Sequence, residues 1–263
     1  MKVSSLSIYP VKSCRGVSVD EALVTPRGFE GDRRFCIAGP DGEVLTQRTH
    51  PQMARIVATL REGVLRLSMD GQHVEVHTHQ GSGERSVRLW GQQVDAALAD
   101  FEASQALSDW LGQAVNLVRM DARHVRATDE RYASGEVSFA DGFPYLIAQQ
   151  ASLDHLVEVV GESFAMERFR PNIVVEGGSP WDEDAWTDVE IGRARFSVVK
   201  PCARCVMVTV DPVTGHQGAK EPLATLARIH RSEHGAIFGQ NAMAVSAGIT
   251  VRVGDAVLPT RGS

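Results

Sequence analysis

Two cysteines stand three positions apart in KPCARCVMVTVDPVTG, residues 200 to 215, and such a pair has three chemistries open to it. A structural zinc site needs four convergent ligands, usually as two close pairs. No second CxxC or HxxxH pair accompanies Cys202 and Cys205 in that half of the chain, and Cys14 and Cys36 lie in separate strand patterns. A thioredoxin-like dithiol belongs at a strand-to-helix turn inside a βαβ unit, whereas CVMVTV reads as a strand opened by Cys205. The third chemistry is that of a thiolate: Lys200 and Arg204 flank the thiols, and cations beside a cysteine favour the anionic sulfur that serves as nucleophile or soft-metal ligand. A buried apolar cysteine at a strand start is the structural alternative.

Other clusters bear on chemistry less directly. His73, His77 and His79 share one parity of HVEVHTH with Glu75, and Val74 and Val76 take the other. That alternation reads as a solvated strand face over a buried one. The segment DARHVRATDERYASGEVSFADG is polar, arginine-rich and aperiodic, which marks a long surface loop at a domain junction, around 121–137. The formal net charge of -6 and the lack of any Lys/Arg run argue against nucleic-acid binding. Arginines gathered in one cleft can still capture a small anion in an acidic protein. No Rossmann or P-loop glycine signature is present, and no plant-type CxxxxCxxC run.

These residues need a scaffold, and the pattern supplies mostly strands. SSLSIYPV, GVSVDEALV, RRFCIAG, ARIVATL, VLRLSM and HVEVHTH alternate apolar and polar positions between turn signals at Gly39-Pro40-Asp41-Gly42, Arg61-Glu62-Gly63 and Asp70-Gly71. A small barrel or sandwich is expected there. A helix is expected over 98–112, with Leu98, Phe101, Leu107, Trp110 and Leu111 as its apolar stripe and Gly112 as its stop. A second should follow FPYLIAQQ, capped by Ser152. Strands return with NIVVEGG, DVEIGRARFSVV and CVMVTVDP, and the chain closes with a helix, EPLATLARIHR, and two strands in NAMAVSAGITVRVGDAVLP. No apolar run approaches the roughly 20 residues a membrane helix needs. The start, MKVSSLSIYPVKS, alternates like a strand and lacks a signal peptide's apolar core. A cytoplasmic protein with free thiols and no membrane partner is the expectation.

The order of motifs carries a resemblance. Arg204-Cys205-Val206-Met207-Val208-Thr209-Val210-Asp211-Pro212-Val213-Thr214-Gly215, followed by Lys220-Glu221-Pro222-Leu223, resembles the core of the MOSC domain of molybdenum cofactor sulfurases and of the mitochondrial amidoxime-reducing component. Tyr9-Pro10-Val11-Lys12-Ser13-Cys14-Arg15-Gly16 resembles the start of the β-barrel domain that precedes MOSC in those reductases. Phe169-Arg170-Pro171-Asn172-Ile173 and Phe238-Gly239-Gln240-Asn241 match two further family segments in order. The implied fold is mainly β (α+β): an N-terminal β-barrel-like domain over 1–95 and a MOSC β-barrel core with a few helices over 96–263.

The resemblance also implies a site. It makes Cys205 the protein sulfur on a molybdenum otherwise held by the dithiolene of a pterin, the molybdenum cofactor. It gives Lys12 with Ser13, Arg34, and Arg170 with Asn172 as contacts to the phosphate or pterin, with Arg204 beside the ligand. Asp141 would meet the pterin amino groups or the substrate near the metal, or cap the next helix. Gly142 and Phe143 stand where the reductases carry hydroxylic residues, so only backbone N–H groups could serve there. Cys202 is a packed neighbour. The implied reaction is reductive oxygen-atom removal from an N-hydroxylated or N-oxide substrate, with electrons from a separate flavoprotein, ferredoxin or haem protein. No pyridoxal-phosphate desulfurase domain like that of true sulfurases is expected, and with it no autonomous cofactor sulfuration. Rival readings are a molybdenum-cofactor or sulfur carrier without turnover, and a fold whose site is empty.

Overall fold

The computed structural model describes residues 1–78, 83–218 and 220–262. Among them the fold is mainly β with three α-helices, an α+β arrangement. Its largest sheet runs in the order Val257–Arg261, Trp186–Ile191, Ala194–Ala203, Gly235–Ala244, Tyr145–Gln149, Ile173–Glu176, Lys2–Ile8, Val17–Val19, with Arg231–Ser232 paired on Gly235–Ala244. All neighbours in it are antiparallel except Tyr145–Gln149 and Ile173–Glu176. A parallel pair needs a crossover. Helix Gln150–Val160 supplies it, ending at Gly161 in the left-handed region.

The first strand of the chain is thus built into the sheet made mainly by the last half. Four-stranded (Phe35–Ala38, Asn116–Arg119, Gln92–Leu98, Glu84–Leu89) and three-stranded (Val57–Arg61, Val64–Met69, Gln72–His77) sheets lie in the N-terminal half, and Glu21–Thr25 with Gly28–Phe29 pairs with Thr250–Arg252 from the far end of the chain. One apolar cluster joins them, from Val11, Phe35 and Ile37 through Ile56, Leu65 and Val76 to Leu107 and Leu117. A cleft lies where segments of the two halves meet.

Several expected elements differ from those observed. The first helix is Phe101–Leu111, capped by Asp100, whose carboxylate accepts the Ala103 N–H at 2.8 Å. Phe101 is exposed and off the buried face, so the apolar stripe is narrower than its sequence suggests. The second helix begins two residues before Ser152; the Ser152 hydroxyl is buried and bonds Glu183 at 2.9 Å. CVMVTVDP is not a strand. The strand there is Ala194–Ala203, and Val206–Thr209 forms a 3-10 turn with Cys205 at its cap. The Thr209 hydroxyl closes that turn on the Val206 carbonyl at 2.8 Å. Val208, Thr209 and Val210 are all buried, so the alternating valines of the sequence do not mark a two-faced strand. No helix follows Asp141, so it caps nothing; the chain enters strand Tyr145–Gln149. His73, Glu75 and His77 are exposed over buried Val76. His79 lies outside the described residues.

Candidate functional site

Between the halves lies a cavity of about 110 Å³. Lys12, Ser13, Asp141, Phe143, Arg170, Asn172, Arg204 and Cys205 all line it, although they come from four separate stretches of chain. So do Cys202, Arg33, Arg48, Arg168 and Asn241. Two expected members are elsewhere. Gly142 faces the adjoining outer hollow. Arg34 lies apart, beside Arg27 and Arg119, with its Nη1 buried and unpartnered. Arg33 takes the place expected of Arg34.

The N-terminal motif contributes a loop woven through its neighbours. The Lys12 N–H donates to the Phe35 carbonyl (2.8 Å), Phe35 N–H to Pro10 (3.0 Å) and Arg33 N–H to Tyr9 (2.7 Å). Tyr9 is the keystone of this loop. Its ring packs so close to Gly16 that any Cβ there would meet it at 2.4 Å, which requires glycine. The guanidiniums of Arg33 and Arg170 lie over the same ring, 4.2 and 4.3 Å from its centroid.

Arg33 is held by the Asp32 carboxylate (2.6 Å), the Asn172 amide oxygen (2.9 Å) and the Arg170 carbonyl (3.1 Å). Arg170 donates to the Cys14 carbonyl at 2.7 Å. Asn172 is buried; its amide oxygen accepts from Arg33 and the Leu146 N–H and its nitrogen donates to the Ser7 carbonyl, so it orients Arg33 and has one N–H left over. Burial depresses the basicity of the Arg170 guanidinium, and the Arg33 charge beside it adds to this.

Of the seven non-glycine residues with left-handed φ among the described residues, Ser13 (63°), Arg33 (47°) and Arg170 (56°) line this one cavity. Such backbone persists only where surroundings enforce it, and it gathers at functional sites.

Lys12 is buried, and its ammonium donates to the Asp141 carboxylate (2.5 Å) and the Phe139 carbonyl (2.9 Å). Burial lowers the Lys12 pKa, with Asp141 opposing. Asp141 sits at the mouth, its side chain 64% exposed by surface area yet ringed by protein. Loss of bulk water pushes its carboxyl upward, but Lys12, Arg48 and Arg33 more than reverse this and hold it well below the usual carboxylate range. Arg126, from the arginine-rich loop, clamps the strap that carries Asp141, donating to the carbonyls of Ser138 (3.1 Å), Ala140 (2.6 Å) and Asp141. The composition of that loop was its only signal in the sequence.

Cys205 follows directly on Arg204, whose fork takes the Phe238 carbonyl through Nε (3.0 Å) and Nη2 (2.7 Å) and the Phe169 carbonyl through Nη1 (3.0 Å). Phe169 and Phe238 stack at 3.9 Å beneath it. Arg204 is therefore a positioning residue for the sulfur, with no more than two donor hydrogens left for an anion.

The chain stays extended through Ala203, and the Arg204 N–H still bonds Ala236 at 2.8 Å. Three extended steps carry Cys202 and Cys205 roughly 10 Å apart at Cα, beyond the reach of a disulfide. Burial raises the Cys202 pKa, with Arg204 opposing, so the flanking cations do not make that thiol acidic. Cys14 and Cys36 are sealed in the core, and no cluster of three metal-ligating side chains occurs among the described residues. Zinc and a redox dithiol are both poor fits to this geometry.

Comparison with known proteins agrees with the motif order. The MOSC N-terminal beta barrel domain matches residues 1–114 and the MOSC domain residues 134–258. Mitochondrial amidoxime reducing component 2 of Bos taurus is 34% identical over 237 residues, 85% of this chain and 70% of that protein. The chain belongs to the MOSC family.

Human mitochondrial amidoxime-reducing component 1 is 30% identical over 277 residues, covering 97% of this MOSC protein and 81% of its own length. The molybdenum cofactor sulfurase of Oryza sativa subsp. japonica is 29% identical over 261 residues, 90% of this chain but 32% of that one. The crystal structure of the YuaD protein from Bacillus subtilis covers 97% of this chain at 11% identity, with a TM-score of 0.45. The amidoxime-reducing and cofactor-sulfurase relatives support a molybdenum-cofactor-related function for the MOSC protein. Its cleft fits such a group: six cationic side chains and one carboxylate line it in a chain of net charge -6, and a half-buried thiol opens into it. An anionic pterin needs the first, and a soft-ligand metal centre the second.

Proposed function

We propose that this protein binds the molybdenum cofactor with Cys205 as the protein's sulfur ligand and removes oxygen from N-hydroxylated or N-oxide compounds, using electrons from a separate redox protein. The observation that carries this reading is the single cavity shared by Cys205, Lys12, Arg33 and Arg170, three of its residues in strained backbone. When bound, the cofactor supplies the two-electron redox centre.

The chain's own residues do the rest. Arg33 and Arg170 form a preset guanidinium pair, their mutual repulsion tolerated because Asp32, Asn172 and the Tyr9 ring hold them. A phosphate relieves that repulsion, and guanidinium forks suit its oxygens. Asp141 stays ionised at neutral pH, so it accepts hydrogen bonds from N–H groups and does not act as the acid. Lys12 holds a proton at Nζ within 2.5 Å of Asp141 and is the acid-side group at that point of the cleft. Phe143 and Phe169 limit water around the thiol.

Metal analysis of protein made alongside intact cofactor synthesis tests this reading, together with benzamidoxime reduction using a supplied electron donor. Wild type should hold about one molybdenum per chain and turn over, with both lost in Cys205→Ala. Wild type loaded with molybdenum but inert towards benzamidoxime would favour a carrier instead, and Cys205→Ala with full molybdenum content would remove the ligand assignment.

A further inference from the structure

Outside the cleft lies a wider hollow of about 930 Å³, and the two share Arg48 and Asp141. Trp90 lines this hollow at an unusual backbone position. It opens the turn between strands Glu84–Leu89 and Gln92–Leu98 with φ 55°, followed by Gly91 at 76°. A two-residue turn of this kind favours Asn, Asp or Gly at its first position, and a bulky aromatic there is strained. Trp90 is nonetheless 51% exposed, so no burial offsets the strain. The Arg48 guanidinium lies over its ring at 4.2 Å.

Lys200, which also lines the hollow, makes a second pair of the same kind, its ammonium 4.2 Å from the centroid of partly exposed Tyr132 just outside that lining. Among the described residues, the side chains of Arg48 and Lys200 make no hydrogen bond or ion pair. The other cations of the hollow are committed: Arg126 to backbone carbonyls and Arg131 to Asp129. Of the carboxylates, Asp129 is taken by Arg131 and Asp141 by Lys12, which leaves Glu130.

We propose that this hollow selects flat aryl substrates bearing a carboxylate, the ring lying on Trp90 and the carboxylate held by Arg48 and Lys200. The inference rests on the reading of the cleft as a reductase of N-hydroxylated compounds and names their class. A planar carboxylate matches the guanidinium fork. Two cations already seated on aromatic rings lose little freedom on meeting it. The reactive N–OH end then points past Asp141 into the cleft, and the carboxylate stays outside, which suits para-substitution.

The test is calorimetric binding of benzamidoxime and 4-carboxybenzamidoxime, with the turnover of both compounds measured separately on molybdenum-loaded protein. The carboxylated compound should bind roughly tenfold more tightly at low salt, as two exposed ion pairs allow. The ratio should shrink at high ionic strength. Arg48→Gln and Lys200→Gln should each bring it towards one. Trp90→Asn should weaken both ligands while raising the thermal midpoint, because asparagine suits the turn. Equal affinities for the two compounds, or a ratio that neither glutamine variant changes, would overturn the proposal. A clear binding preference with no turnover would sink the reductase reading and leave the aryl-carboxylate site standing.

Discussion

Glu183 offers a quantitative check on the physical account of the large sheet. It lies in a short 3-10 turn, Asp182–Ala185, with 0% exposure. Its carboxylate accepts the Ser152 hydroxyl at 2.9 Å and the Gln149 N–H at 3.3 Å. Burial pushes its pKa from 4.5 up to about 7; its own backbone N–H and the Ser152 hydroxyl oppose this, and Asp184 adds to it. A carboxyl with a raised folded pKa keeps its proton in the native chain where the unfolded chain has released it. Between pH 4.5 and about 7 the native state therefore binds more protons, and stability falls as pH rises through that window. At about 1.36 kcal/mol per pH unit, the full fall is about 3 kcal/mol. Glu183→Gln removes the titration and keeps an oxygen for Ser152. Unfolding free energies from urea titrations at pH 5, 6, 7 and 8 should show the variant gaining on wild type by about 2–3 kcal/mol across the range. His230, its pKa raised through the Asp184 carboxylate against burial, slopes the same way in both proteins and largely cancels in the difference. A wild-type minus variant difference that is flat with pH would refute the reasoning.

Two further predictions concern arginines. Arg33→Ala strands the fully buried Asp32 carboxylate and should destabilise by about 3–5 kcal/mol, whereas Arg34→Ala strips no carboxylate of its partner and should stay under about 1 kcal/mol; chemical denaturation reads both. Arg204→Lys keeps the charge but cannot reach the Phe238 and Phe169 carbonyls together. It should lose about 1.5–3 kcal/mol of stability, and molybdenum content should fall as Cys205 loses its placement.

The contrast between Arg33 and Arg34 shows where sequence reading stops. Segments such as Tyr9–Gly16 and Phe169–Ile173 announce cleft residues because side-chain type and order survive as letters, and most of the lining named from them converges. Two adjacent arginines are indistinguishable by type, and a strand pattern assigns them to opposite faces without saying which faces the cleft. The decision lies in the left-handed φ of Arg33, enforced by the buried Asp32 and the Tyr9 carbonyl. A carboxylate just before the pair was the one available hint, since a buried Asp requires a partner close by. The strand reading that began at Cys205 failed differently. The period-two spacing of Val206, Val208 and Val210 reads as a strand, yet the Thr209 hydroxyl bonds the Val206 carbonyl and coils the backbone. That coil serves the site: a continuing strand would place alternate residues on opposite faces, whereas a turn capped by Cys205 ends the sheet at the cavity wall and leaves the sulfur open to it. The same local hydrogen bonding that defeats a periodicity argument is thus what presents the thiol, so errors of this kind are expected to concentrate at the residues that do the chemistry.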